Sequence, residues 1–189
     1  MKTIYCIRHA ITNAHVASRT NSTLGFFDVE LNQQGRQDAK ILAEQLKNLG
    51  IQGILSSDQK SSAETAMIFS DILNVPVYFS DIFRERNQGE YCGVELKTLK
   101  EKNKNFNITT EGKGRESLKD FINRTKAGFK RITNDFNWES CILISHKGFL
   151  QTMTMTCLNI KPSNWYLCEV RIWVCENGKW KQKETINLF

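Results

Sequence analysis

Two short apolar runs that end in a histidine constrain the fold of this chain more than any other feature of its sequence. One run, Thr-Ile-Tyr-Cys-Ile, stops at Arg8 and His9, and the other, Cys-Ile-Leu-Ile-Ser, stops at His146, Lys147 and Gly148. The whole chain contains three histidines. Short runs rich in β-branched and aromatic residues are typical of buried strands. If these two strands are adjacent and parallel, both imidazoles lie at the same edge of one sheet.

These strand ends predict a pocket for an anion. In open α/β sheets, ligands bind in the crevice beyond the carboxyl ends of the strands. Arg8 and Lys147 place positive charge beside His9 and His146. Guanidinium and ammonium groups are suited to binding phosphate oxygens. The pattern therefore favours a phosphate ion or a small phosphorylated substrate as the ligand.

Alternating strand and helix signals indicate an α/β fold. Asn32 is a suitable N-cap for a helix over the apolar positions that follow it, and Gly50 can end that helix. A strand at 51–56 and a helix with Ala63, Ala66, Met67 and Leu73 on one face follow. Residues 75–79 form a third strand, at an edge or beginning at its proline. The order predicts a three-layer, doubly wound, mostly parallel sheet with helices on both faces.

The C-terminal part of the chain continues this pattern. Residues 116–135 carry apolar residues at helical spacing, and apolar and polar residues alternate over 168–174, as in a half-buried strand. Asn177 and Gly178 are a strong signal for a hairpin turn. We therefore expect the sheet to end in a C-terminal hairpin, with Lys179 and its neighbours on the solvated face of an edge strand.

Two polar segments lack a clear period. We interpret residues 11–29 as a loop over the strand ends. Residues 81–115 are also polar and contain several glycines, and a loop of that length in a compact domain is usually functional or contains short helices. We expect residues 81–115 to cover the pocket, within a single domain spanning 1–189.

Composition excludes several function classes. With 40% hydrophobic and 24% charged residues, the chain has the composition of a globular protein. It has no apolar run near the roughly 20 residues that cross a bilayer, and Met1 leads directly into a strand, so we expect a cytoplasmic protein.

The six cysteines include no Cys-x-x-Cys pair, which favours reduced, structural thiols. The net charge of +6 is scattered, which favours a small anionic substrate over nucleic acid or a membrane; the oligomeric state stays open.

Three ordered motifs carry a resemblance to a known family. They are Arg8-His9 followed by Thr12, Phe83-Arg-Glu85-Arg-x-x-Gly89-Glu90, and Ser145-His146-x-Gly148. Together they resemble the histidine phosphatase superfamily, which includes the cofactor-dependent phosphoglycerate mutases. The likeness runs from Lys2 to about the last strand.

The resemblance implies a role for each matching residue. His9 would be the nucleophile that accepts the phosphoryl group, and Glu85, with Glu90 as a weaker substitute, would be the proton donor. Arg8 and His146 would stabilise the phosphoryl oxygens. The resemblance implies neither a metal nor another cofactor.

The chain also departs from the family pattern. Ser61 stands where members usually have an arginine, and Ala10 and Lys147 replace two motif glycines. His15 replaces a phosphate-contacting asparagine, whereas Arg19 matches a common arginine. We include Thr12, His15, Arg19, Ser61 and Lys147 among the candidate substrate-binding residues.

These departures leave three functions to distinguish. The first is hydrolysis of a small phosphomonoester through phosphohistidine. The second is a mutase, although mutases of the family tend to be longer. The third is a catalytically weak or inactive phosphate-binding or interaction protein on the same fold, because Ser61 removes a phosphate ligand. Lys60 or Lys147 could supply the missing charge, but a flexible ammonium is not equivalent to a planar guanidinium.

Overall fold

In the computed structural model, residues 1–17, 28–107, 109–161 and 163–186 are described. Six strands form one sheet: β1 (Lys2–Arg8), β2 (Ile54–Ser57), β3 (Val77–Ser80), β4 (Ser140–Ser145), β5 (Val170–Glu176) and β6 (Lys179–Ile186). The α-helices in the described ranges are α1 (Asn13–Ala17), α2 (Gln33–Leu46), α3 (Lys60–Leu73), α4 (Leu96–Lys102), α5 (Leu118–Asn134) and α6 (Lys147–Cys157). Two 3₁₀ turns, Asp81–Phe83 and Gly89–Tyr91, precede α4.

The strand order is β3-β2-β4-β1-β5-β6. The first four of these strands are parallel, and β5 and β6 run antiparallel to their neighbours as a C-terminal hairpin. In the β1–β4 pair, Arg8 is opposite Ser145. The predicted doubly wound, mostly parallel sheet is therefore confirmed, and the two histidine-ended strands are neighbours in register.

Two apolar clusters on opposite faces of the sheet form the core. Leu42 of α2 and Phe69 of α3 pack in the cluster that contains Ile7 of β1. Phe121 of α5 and Phe149 of α6 belong to the other cluster, together with alternate residues of β1 and β4. Because successive strand residues point to opposite faces, β1 and β4 contribute to both clusters, and their middle residues are buried. Every cysteine lies in the described ranges, and none is in a disulfide.

Several local sequence signals are confirmed. The Asn32 side chain accepts a hydrogen bond from the Gly35 amide at 2.8 Å and caps α2. Asn177 and Gly178 have φ values of 52° and 74°, so the hairpin turn has the left-handed backbone that this pair favours. The edge position of β3 agrees with its preceding proline. In the described part of the chain, no helix is long and apolar enough to span a membrane.

Four predictions of local structure were wrong. The segment 11–29, predicted to be a loop, contains α1. The helix predicted to end at Gly50 ends at Leu46 instead, which leaves Leu49 41% exposed. Met67 of α3 is 47% exposed, because the buried face of this helix runs along Ser62, Thr65, Ala66 and Phe69 instead. The strand predicted to be half-buried is covered on both faces. Glu169 and Arg171 are buried there as an ion pair, with Arg171 Nε 2.5 Å from Glu169 Oε1.

Candidate active site

The pairing of β1 with β4 brings the two strand-end histidines together. The ring centroids of His9 and His146 are 5.0 Å apart, and each residue is 5% exposed. The His9 amide donates to the Ser145 carbonyl at 3.0 Å, which extends the β1–β4 ladder to the edge of the sheet. The sheet itself therefore fixes the separation of the two imidazoles.

His9 has a defined tautomer in its neutral form. Its Nδ1 lies 2.8 Å from the Ala10 carbonyl oxygen. Because a carbonyl can only accept, Nδ1 carries the proton and Nε2 keeps its lone pair. Burial lowers the pKa of His9 well below its usual value, and the charges of His146, Arg8 and His15 lower it further. Without a bound anion, His9 is thus a neutral imidazole with an unprotonated Nε2 at pH 7.

His146 contacts two serine hydroxyls that the sequence did not identify. Its Nε2 lies 3.0 Å from Ser57 Oγ, at the end of β2, and 3.2 Å from Ser62 Oγ, in the first turn of α3. Burial, followed by the nearby charge of Arg8, lowers the pKa of His146 to about 3. The sequence contained one signal for these hydroxyls: both serines follow the strand predicted at 51–56 and lie close to Ser61.

Arg8 is held by the backbone and by His15. Its Nη1 donates to the Trp165 carbonyl at 2.9 Å, and its Nη2 lies 3.1 Å from His15 Nε2. Because guanidinium only donates, His15 Nε2 accepts, and His15 Nδ1 donates to Thr12 Oγ1 at 2.7 Å. Burial, followed by the charge of Arg8, lowers the pKa of His15 to about 4. Arg8 Nε is buried and has no hydrogen-bond partner among the described residues.

The Glu85 carboxylate lies at the start of α6, against Gly148. Its Oε2 accepts from the Gly148 amide at 2.7 Å, and its Oε1 accepts from the Arg86 amide at 2.8 Å. A Cβ at position 148 would lie 2.2 Å from Glu85 Oε1, so the carboxylate requires glycine there. Burial raises the pKa of Glu85, against the lowering effect of the two amides. A carboxyl with a raised pKa can hold a proton and later take one back.

A guanidinium from α5 supports the loop that carries Glu85. Arg124 donates to the carbonyls of Ile82 at 3.0 Å, Arg84 at 2.9 Å and Glu85 at 3.1 Å. The same side chain pairs with Glu116 at 2.8 Å, which compensates its charge. Glu90, the weaker candidate acid, instead accepts from the Lys113 amide at 2.6 Å on the exposed surface. Of the two carboxylates, only Glu85 lies at the start of α6, the helix that directly follows His146.

The remaining candidates differ in their placement. Ser61 is buried in the first turn of α3, and Lys147 is half-buried at the start of α6. Lys60 points away, with its Nζ 3.9 Å from Glu30. Arg19 lies outside the described residues. In the part of the chain that is described, no group of three or more histidine, cysteine, aspartate or glutamate residues could hold a metal ion.

Similarity to known proteins identifies the family of this chain. Residues 4–187 match the model of the histidine phosphatase superfamily (branch 1). The chain is 25% identical over 193 residues to a Shigella boydii protein named "Probable phosphoglycerate mutase GpmB", covering 98% of this chain and 87% of that protein. The chain therefore belongs to the histidine phosphatase superfamily.

Solved structures with low sequence identity share the fold. YhfR of Bacillus stearothermophilus has a TM-score of 0.84 at 22% identity, with 96% of this chain and 95% of that chain covered. A mycobacterial glucosyl-3-phosphoglycerate phosphatase in complex with inorganic phosphate has a TM-score of 0.81 at 17% identity, with 97% and 96% covered.

Proposed function

We propose that this protein hydrolyses a small phosphomonoester through a phosphohistidine formed on His9. The observation that carries the proposal is the tautomer of His9, because the Ala10 carbonyl holds the proton on Nδ1 and leaves a lone pair on Nε2. A neutral imidazole with one nitrogen fixed in this way is a competent nucleophile for phosphoryl transfer. Family membership makes phosphoryl transfer the relevant chemistry.

In the first step, His9 Nε2 forms a bond to phosphorus while the bond from phosphorus to the substrate alkoxide oxygen breaks. The departing oxygen needs a proton, and protonated Glu85 supplies it. The raised pKa of Glu85 supports this role, because burial keeps a larger fraction of the carboxyl protonated than in water. The products are an alcohol, a phosphohistidine and an ionised Glu85.

In the second step, ionised Glu85 removes a proton from water, whose oxygen attacks phosphorus as the bond to His9 Nε2 breaks. Phosphate leaves, and both side chains return to their starting protonation states. In both steps, Arg8 and His146 would face the phosphoryl oxygens, whose charge needs stabilisation in a site prepared in advance. The buried, unpartnered Arg8 Nε supports this assignment.

The proposed substrate is a small phosphorylated metabolite. We propose that the cover segment, residues 81–115, selects it, since this segment carries Glu85 at one end and contains α4. A mutase that returns the phosphoryl group to a second hydroxyl is the alternative, favoured by the name of the Shigella boydii relative. Transfer of label between hydroxyls without release of phosphate would indicate the mutase.

The test uses p-nitrophenyl phosphate and a panel of sugar and nucleotide phosphates. We expect wild-type protein to release phosphate and, after rapid alkaline quench, to carry one phosphate on His9 by peptide mass spectrometry. His9→Asn should do neither while keeping the wild-type melting temperature. Equal release by both proteins would eliminate the proposal. Phosphate binding without phosphohistidine or turnover would identify the non-catalytic alternative that Ser61 favours.

A further inference from the structure

The site has a neutral side chain where the family pattern places a second arginine. Ser61 is buried in the first turn of α3, next to Ser62, which contacts His146. A bound phosphoryl group carries charge on three oxygens, and Arg8 alone neutralises only part of it. Another cation on this chain would have to supply the rest.

Among the residues that the structure describes, most cations near the site are already engaged. Arg84 pairs with Asp58 at 2.6 Å, Arg124 pairs with Glu116 at 2.8 Å, Arg86 donates to the Glu116 carbonyl at 2.7 Å, and Lys60 lies 3.9 Å from Glu30. Moving any of these groups to a ligand would break a contact that holds a loop or a helix end. They are therefore poor candidates for the second phosphoryl ligand.

Lys147 is different. It follows His146 directly and precedes Gly148, whose amide binds Glu85 at 2.7 Å. Its side chain is half-buried, and the charged groups that face it are Arg8 on β1 and Glu85 on the loop after β3. Among the described residues, its ammonium takes part in no hydrogen bond and no ion pair. A partly desolvated cation with unused donors, close to Arg8, is suited to an anion bound at the same place.

We infer that Lys147 replaces the missing arginine as the second cation that binds the phosphoryl group. The inference rests on the proposed function, since it assumes that a phosphoryl group binds between His9 and His146. The ammonium is a point charge that contacts one oxygen, whereas an arginine at position 61 would contact two from a planar fork. Phosphate affinity in this chain therefore depends on a group that can lose its proton.

This dependence has a pH signature. Burial and the nearby charge of Arg8 lower the pKa of Lys147, while Glu85 raises it. As pH rises through this lowered value, the ammonium loses its charge and the affinity for phosphate falls. A bound anion stabilises the ammonium and shifts this loss to higher pH. Arginine at the same position stays charged, so Lys147→Arg should bind phosphate without the alkaline decline.

Calorimetric titration with inorganic phosphate at about pH 7 and about pH 9.5 tests the inference. At the lower pH, Lys147→Met should weaken binding roughly 10- to 100-fold. Ser61→Arg in the Lys147→Met background should restore most of the loss. Because phosphate itself titrates in this pH range, the variants are compared with one another, and Lys147→Arg should lose less affinity at the higher pH than the wild type does. Lys60→Met, a matched lysine at the start of another helix, should bind as wild type does.

The outcomes separate this inference from the proposed function. If the wild type binds phosphate and Lys147→Met binds it with the same affinity, the role of Lys147 is overturned and the proposed function is not affected. An equal alkaline decline in wild type and Lys147→Arg would also overturn it. Absence of phosphate binding by the wild type would overturn both proposals. Because the readout is binding, the result does not depend on turnover, and thermal melts of each variant exclude unfolding as the cause.

Discussion

The two strand-end histidines have the same sequence pattern and different surroundings. His9 fixes its Nδ1 on the carbonyl of Ala10, the next residue in the chain. His146 instead turns its Nε2 toward two hydroxyls, Ser57 and Ser62, from a neighbouring strand and helix. The first arrangement sets one tautomer, whereas hydroxyls can either donate or accept.

The difference shows that the position of each imidazole ring and its chemical role are determined by different contacts. The β1–β4 register determines where each ring lies, and the polar atom opposite each nitrogen determines what that nitrogen can offer. On this basis we expect His9 to be the nucleophile and His146 to be a hydrogen-bonding stabiliser. The following predictions test this division of roles.

The largest expected effect is the contrast between His9→Asn and His146→Asn. Removing the nucleophile should lower kcat by at least about 10⁴-fold, whereas removing one stabilising donor should cost about 10²- to 10³-fold. Rapid-quench mass spectrometry should detect phosphohistidine in His146→Asn and not in His9→Asn. A phosphorylated His146 in His9→Asn would reverse the roles.

Replacing Glu85 should give an effect that depends on the leaving group. Glu85→Gln cannot supply a proton, so hydrolysis of alkyl phosphates should slow by about 10²- to 10⁴-fold. The phenolate of p-nitrophenyl phosphate leaves without protonation, so the first step with this substrate, measured as the pre-steady-state burst of p-nitrophenol, should slow much less. Glu90→Gln is the matched control, because the Glu90 side chain accepts from the Lys113 amide on the exposed surface and its replacement should change neither rate. Equal losses in the first-step rates of both substrates would argue against proton donation.

Acid should destabilise the protein through its buried histidines. A group with a lowered pKa stays neutral when folded but takes up a proton when unfolded, so stability falls as pH drops below the usual value of 6.5. For His146, with a pKa of about 3, this loss continues down to about that pH. Between pH 7 and 5 the loss due to His146 should be about 2 kcal/mol. Between pH 7 and 5, the free energy of unfolding measured in urea should therefore fall by about 2 kcal/mol less for His146→Asn than for the wild type.

The smallest expected effect concerns the hydroxyls around His146. Ser57→Ala and Ser62→Ala each remove one hydrogen-bond partner, so each should lower kcat by roughly 2- to 10-fold. Ser56→Ala is the control, because the Ser56 hydroxyl donates to the Ser57 carbonyl at 2.9 Å and does not contact the ring. Unchanged steady-state rates in both Ser57→Ala and Ser62→Ala would show that the hydroxyls do not tune His146.

Much of this arrangement could be predicted because the signals were local. The two apolar runs ending in histidine, the Asn32 cap and the Asn177-Gly178 turn each depend on a few consecutive residues. The pairing of β1 with β4 was a condition of the prediction, while the alternation of strands and helices predicted a mostly parallel sheet, in which the carboxyl ends of the strands share one edge. Sequence reasoning could therefore place His9 and His146 at one edge of the sheet.

What could not be predicted depends on neighbours distant in the chain. The contact of Ser62 with His146 joins positions 84 residues apart, and no periodicity encodes it. Glu169 and Arg171 were expected on a solvated face, but their burial depends on what covers β5. The same holds for Met67, since apolar spacing indicates a helical face without fixing which positions other elements cover.

Arg124 has a consequence for how the protein would lose activity. Both imidazoles follow central strands, whereas the backbone of the loop that carries Glu85 depends in part on the hydrogen bonds of one guanidinium on an outer helix. Partial loosening of α5 by heat or denaturant would remove this support and shift the acid before the strands separate. Moderate denaturant should therefore produce a form that still captures phosphate but no longer turns over, so inactivation would precede the global unfolding transition.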